Sequence, residues 1–139
     1  MKTNRSIPNA AIIPELAYAD VAAAARWLCD AFGFRERLRI ADHRIQLTFG
    51  GSALVVIDGR PDQSAAQASM HSVLLRVEDL DRVFARAVRA GAQAIREPAD
   101  HPYGERQATL RDPGGHVWTL SQSIADVDPA DWGGELVDR

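Results

Sequence analysis

Apolar residues recur at helical spacing in two stretches of the chain. In the first, Asp20 precedes Val21, Ala25, Leu28 and Phe32, and Gly33 follows; in the second, Asp79 precedes Leu80, Phe84, Ala87 and Val88, and Gly91 follows. An aspartate can accept a hydrogen bond from the first unpaired N–H groups of a helix, and a glycine can leave one in the left-handed conformation. The spacing therefore predicts two amphipathic helices of about three turns each. A run rich in Ile, Leu and Val precedes each helix, Ala11 to Tyr18 and Ser72 to Val77, and is predicted to be a strand.

Three further strands are predicted after each helix. In the first half they are Phe34 to Ile40, Arg44 to Phe49 and Ser52 to Asp58, where Ile45, Leu47 and Phe49 alternate with Gln46 and Thr48. In the second half they are Ala92 to Glu97, Arg106 to Arg111 and His116 to Gln122, the last two joined by Asp112-Pro113-Gly114-Gly115. The expected fold is α+β: two βαβββ repeats forming a curled mixed sheet around a cleft, with one helix against each four-stranded unit. Repeat one spans about 8–58, a Gly-, Pro- and Ser-containing linker about 59–69, repeat two about 70–123, and a tail 124–139 ends as a short helix or an ordered loop, all within one domain 1–139.

Strand parity assigns faces. Val73, Leu75 and Val77 turn toward a helix and leave Ser72, Leu74 and Arg76 on the other side; likewise Trp118 and Leu120 face a helix, and Val117, Thr119 and Ser121 the cleft. Four strands with a helix on one face leave the opposite face free to line a pocket.

Composition narrows the functions available. With 139 residues, 46% of them hydrophobic, the chain can build one sizeable core. The net charge is -3 and Lys2 is the only lysine, so no basic block is present and nucleic acid is not an expected partner. No apolar run reaches the length of a membrane span, and the expected location is cytoplasmic. Cys29 is the only cysteine, which excludes an intrachain disulfide and a thiolate metal site; its mid-helix position predicts a buried, inert thiol. Gly50-Gly51 and Gly114-Gly115 have no following helix to aim N–H groups at a phosphate, so they read as hairpin turns.

Pro14-Glu15-Leu16 leading to Asp20-Val21, then Ala31-Phe32-Gly33, and Tyr103-Gly104 through Asp112-Pro113-Gly114-Gly115-His116-Val117-Trp118, resemble the vicinal oxygen chelate superfamily of glyoxalase I, bleomycin-resistance proteins and extradiol dioxygenases. The resemblance covers roughly residues 8–123 and is nearest to bleomycin-resistance-like and glyoxalase-like members. It implies metal ligands at positions that here carry Ile13, Val55 or Val56, Ser72 and Thr119, none of them a usable ligand at neutral pH. The expectation is thus a homodimeric, metal-free, cofactor-free protein that binds a small molecule, such as an antibiotic or aromatic metabolite, without turnover. The alternative is a metal-dependent lyase, isomerase or dioxygenase with His71 and Glu15 as ligands, which requires a bulge or register shift to turn His71 inward; otherwise His71 opens its strand at the sheet rim.

The candidate ligand-binding residues are Glu15, Gln46, Phe49, Ser72, Tyr103, Thr119 and Trp132. Glu15 is either a polar contact in the cleft or a rim salt bridge with an arginine, and Trp132 either reaches the pocket or plugs an apolar groove. Phe49 is expected to line the end of the cleft. Phe32, Phe34 and Phe84 are assigned to the core, and His43 and His101 to loops.

Overall fold

The computed structural model of the chain describes residues 1–58, 71–113 and 115–137. In chain order these form strand β1 (Ile12–Tyr18), helix α1 (Val21–Phe32), strands β2 (Arg35–Ile40), β3 (Arg44–Phe49), β4 (Ser52–Asp58) and β5 (His71–Arg76), helix α2 (Leu80–Arg89), strands β6 (Gln93–Asp100), β7 (Glu105–Arg111) and β8 (Val117–Ser123), a 3-10 turn (Pro129–Trp132) and strand β9 (Gly134–Leu136). The expected linker, 59–69, lies outside the described residues.

The helix ends follow from their caps. Asp20 accepts from the Ala23 N–H and Asp79 from the Arg82 N–H. Gly33, at φ 84°, donates its N–H to the Cys29 carbonyl and closes α1.

All nine strands join one open sheet in the order β6-β7-β8-β5-β1-β4-β3-β2-β9. The central pair, β1 and β5, is antiparallel, with Glu15 opposite Ser72 and Ile13 opposite Leu74. Parallel pairing of β1 with β4 and of β5 with β8 extends the sheet into each half. The tail supplies what local patterning did not predict, a short strand that covers the β2 edge through Leu38, Arg39 and Ile40.

Both helices lie on one face. Val21, Ala25 and Leu28 of α1 pack on Ile45, Leu47, Leu54 and Val56. Leu80 of α2 packs on Ala108, Leu110 and Leu120. Full burial of such side chains contributes about 1.5–3 kcal/mol each. A third apolar cluster lies on the opposite face: Ile13, Ala53, Val55 and Leu74 from the strands, with Ile7 from the N-terminal segment set upon them.

Two aromatic assignments need correction. Phe32, the last residue of α1, is exposed and packs edge-on against the exposed Trp27 instead of continuing the buried line of Val21, Ala25 and Leu28. Phe49 shares the parity of Ile45 and Leu47, so it leaves the sheet on the helix side, where it meets Phe34 and remains exposed. Phe34 and Phe84 pack against the two helix-side clusters as expected. Trp118 is half-buried and donates its Nε1–H to Asp112 in the β7–β8 turn.

Candidate functional site

Opposite the helices lies a cavity of about 480 Å³, lined by both halves of the sheet. That volume falls within the roughly 300–1,000 Å³ typical of small-molecule pockets. Arg44 on β3 and Arg96 on β6 both line it. In a flat sheet six strand-to-strand steps of about 4.8 Å would part those backbones by about 29 Å. Sharing one cavity requires the sheet to curl.

Cross-strand register explains what the cavity displays. Val55, Glu15 and Ser72 are successive neighbours across β4, β1 and β5, and Ile13, Leu74 and Thr119 are successive neighbours one pleat further. All six line the cavity. Val56 points the other way into the α1 cluster.

Glu15 is buried, at 6% exposure. Ser72 donates its Oγ–H to Oε1 at 2.8 Å, and Arg44 donates through Nη2 to Oε2 at 2.9 Å. Glu15 is therefore both a cleft residue and half of a salt bridge, the two roles the sequence left open.

Gln46 also reaches the cavity, but both ends of its amide are engaged. Oε1 accepts from Arg37 Nη1 at 2.6 Å, and Nε2 donates to the Ser6 carbonyl at 2.9 Å. It anchors the N-terminal segment. That segment runs along the cleft, with Ser6, Ile7 and Pro8 among the lining residues.

The tail meets the same segment. Trp132 donates Nε1–H to Ser6 Oγ at 2.6 Å, and Ser6 Oγ donates to the Val127 carbonyl at 2.9 Å. The Trp132 ring lies 5.0 Å from the Tyr103 ring, which stacks on His101 at 5.1 Å and 9°. Trp132 thus occupies the cleft of its own chain. Tyr103 donates its hydroxyl to Gln107 Oε1 at 2.7 Å. Burial raises its pKa above the usual tyrosine value of 10.0; Arg44 and Arg96 pull it down, and Glu105 and Glu15 push it up.

Of the candidate residues, Glu15, Gln46, Ser72, Tyr103, Thr119 and Trp132 come together around the cavity, and Phe49 does not. His71 is the exposed first residue of β5 and reaches the cavity rim, as does His43. The sequence reading missed Arg44, Arg96, Glu105, Gln107 and Ser6. Alternation carried a signal for three of them, since Arg44 shares the parity of Gln46, and Glu105 and Gln107 that of Thr109.

Glu105 is the most deeply buried charge described, at 1% exposure. Its Oε1 accepts from Ser121 at 2.6 Å, and its Oε2 accepts from Asn4 at 2.7 Å and Ser123 at 2.5 Å. Ser123 Oγ also accepts from Arg76 Nη2 at 2.9 Å, and Arg76 Nη1 donates to the Pro8 carbonyl at 3.2 Å. Cys29 is half-buried against the α1 cluster, and its thiol is raised by burial and by Glu36 and Asp30, which disfavours the reactive thiolate.

A curled mixed sheet with helices on its outer face and a cleft on its inner face defines a cleft-forming protein of the α+β class. The chain belongs to the Glyoxalase/Bleomycin resistance protein/Dioxygenase superfamily, whose family profile matches residues 11–120. A Mycobacterium bovis protein of uncharacterised function, Mb0911c, is 28% identical over 131 residues, covering 85% of this chain and 86% of that one. Among solved structures, methylmalonyl-CoA epimerase from Streptomyces coelicolor superposes with a TM-score of 0.65 at 19% identity, over 84% of this chain and 96% of that one. A mutant of 4-hydroxymandelate synthase from the same organism gives 0.62 at 27% identity, over 88% of this chain and 41% of that one. Among the described residues no helix is long and apolar enough to cross a membrane.

The metal centre implied by the resemblance does not fit the residues present. Ile13, Val55, Ser72 and Thr119 occupy its positions, and Ile7 packs against the first two. Among the described residues no three His, Cys, Asp or Glu side chains converge to hold an ion. His71 with Glu15 gives no such set.

Proposed function

We propose that this protein is a metal-free binding protein for a small, flat molecule, held in the cleft between its two halves without chemical turnover. One observation carries the reading. The positions where metal-using relatives would place ligands carry Ile13, Val55, Ser72 and Thr119, with Ile7 packed on the first two, while the remaining cavity is walled by Tyr103, Trp132 and the Glu15–Arg44 pair. Such a cavity offers ring stacking, apolar burial and a few orienting polar groups, which is how planar aromatic ligands are held. Binding of this kind protects by mass action and needs protein in amounts comparable to its ligand. The reading includes a homodimer, as the family resemblance suggests, and a cytoplasmic location.

Elemental analysis of protein purified without chelator or histidine tag, followed by thermal-shift titration with Ni, Zn, Fe and Mn ions, tests it. The expected result is no stoichiometric metal and no saturable stabilisation. About one equivalent per chain, or saturable stabilisation by one ion, would overturn the proposal in favour of a metal-dependent enzyme.

A further inference from the structure

The buried Glu105 carboxylate fixes the direction of a hydrogen-bond relay that ends at the cavity wall. Its Oε2 accepts from Asn4 and Ser123, and its Oε1 accepts the hydroxyl of Ser121 at 2.6 Å. A carboxylate only accepts, so the single hydroxyl proton of Ser121 is committed to it. Ser121 Oγ must then accept at its other contact, from Gln107 Nε2 at 2.9 Å. That requirement orients the Gln107 amide and turns its Oε1 to the Tyr103 hydroxyl at 2.7 Å, where an amide oxygen can only accept. The relay runs one way, from Tyr103 through Gln107 and Ser121 to Glu105.

Tyr103 and Gln107 both line the cavity, and among the described residues no group donates to the Tyr103 hydroxyl oxygen. With its one proton engaged, that oxygen has only acceptor capacity left, strengthened because a hydroxyl donating into a polarised relay accepts better. The residue is also held in place: its carbonyl accepts from Asn4 Nδ2 at 2.9 Å, and its ring stacks on His101 and meets Trp132. We infer that Tyr103 determines specificity in the cleft as a fixed hydrogen-bond acceptor, selecting flat aromatic molecules with an N–H or O–H donor on the ring edge over those with only an acceptor there. An acceptor-only ring sets lone pair against lone pair, and turning the Tyr103 hydroxyl toward it would leave Gln107 Oε1 without its donor. This inference rests on the binding-protein reading and narrows its ligand class.

Two flat bicyclic probes of similar size separate the cases: indole, whose ring N–H only donates, and quinoline, whose ring nitrogen only accepts. Each is titrated at neutral pH into the isotope-labelled full chain and followed by the backbone amide shifts of Tyr103 and Gln107. The expected result is that indole binds about fivefold more tightly, the worth of one net hydrogen bond. Tyr103→Phe keeps the ring but removes the oxygen, and is expected to bring the two affinities together. Gln107→Leu frees the Tyr103 hydroxyl to donate, and is expected to raise quinoline to the affinity of indole. Equal affinities in the parent, a preference for indole that survives Tyr103→Phe, or quinoline unmoved by Gln107→Leu would overturn the role of Tyr103 while leaving the binding protein standing. Neither probe shifting the cleft amides would overturn the ligand class, and about one metal ion per chain would remove the binding-protein reading beneath it.

Discussion

Glu15 and Glu105 both turn to the inner face of the sheet, one from the first half and one from the second, and the fold uses them in opposite ways. Glu105 is enclosed by three donors drawn from the N-terminal segment and β8. Through Ser123 it connects to Arg76, which holds the carbonyls of Pro8 and Lys2, although Arg76 Nε finds no acceptor among the described residues. Glu15 keeps one neutral donor and one half-exposed arginine and lines the cavity. A carboxylate surrounded by donors at low exposure fixes structure; one paired at a cavity wall can exchange its partner for a ligand. The difference lies in how much water each would recover if its partners were removed.

Substitution at the two carboxylates breaks the comparison most directly. Glu105→Ala strands the Ser121 and Ser123 hydroxyls without their acceptor, leaves Asn4 only the Tyr103 carbonyl, and is expected to cost about 3 kcal/mol of stability. Glu15→Gln keeps an acceptor for Ser72 and leaves Arg44 half in water, so its expected cost is about 1 kcal/mol or less. Urea unfolding with an unchanged slope measures both. Equal costs would mean that the two carboxylates do the same structural work.

The N-terminal segment offers a middle-sized test. Ile7 is 6% exposed on Ile13, Ala53, Val55 and Leu74, yet its neighbours border the cavity. Ile7→Ala is expected to cost about 2 kcal/mol, at the low end for a buried aliphatic truncation because water can enter the space from the cleft. The same variant should keep the Glu105 network intact, so amide-exchange protection at Ser6 and Val127, whose N–H groups donate to Asn4 Oδ1, should match that of the parent. Loss of protection there would show that Ile7, rather than Glu105, holds the segment in place.

What the sequence disclosed about this architecture was local. The helices were legible because cap, stripe and stop lie within a dozen residues, and the cleft-facing side of β5 and β8 was legible because strand parity is strict. Phe49 was misplaced against that same parity, since Ile45 and Leu47 had already assigned its side. The segments that shape the cleft were hidden for another reason. Asn4 reaches Glu105 and Ser6 reaches Val127 across 101 and 121 residues, and bonds of that separation leave no periodic trace. β9 is three residues long and takes its conformation from the β2 edge rather than from its own propensity.

Tyr103 stands in the field of both carboxylates and supplies the finest measure of their difference. Burial is the main reason its hydroxyl ionises above the ordinary 10.0, with Glu105 and then Glu15 adding to the rise. A folded-state pKa above the unfolded one stabilises the neutral form: that contribution is fully present below pH 10.0 and is lost as pH rises through the folded value. In a Tyr18→Phe background, which leaves Tyr103 as the only tyrosine, phenolate absorbance should therefore appear at higher pH than for a free tyrosine. Adding Glu105→Gln should move that titration down, and adding Glu15→Gln should move it down by less, because Glu15 is already offset by Arg44. A larger shift from Glu15→Gln would reverse the comparison, making the cleft carboxylate the one whose charge the pocket feels unscreened.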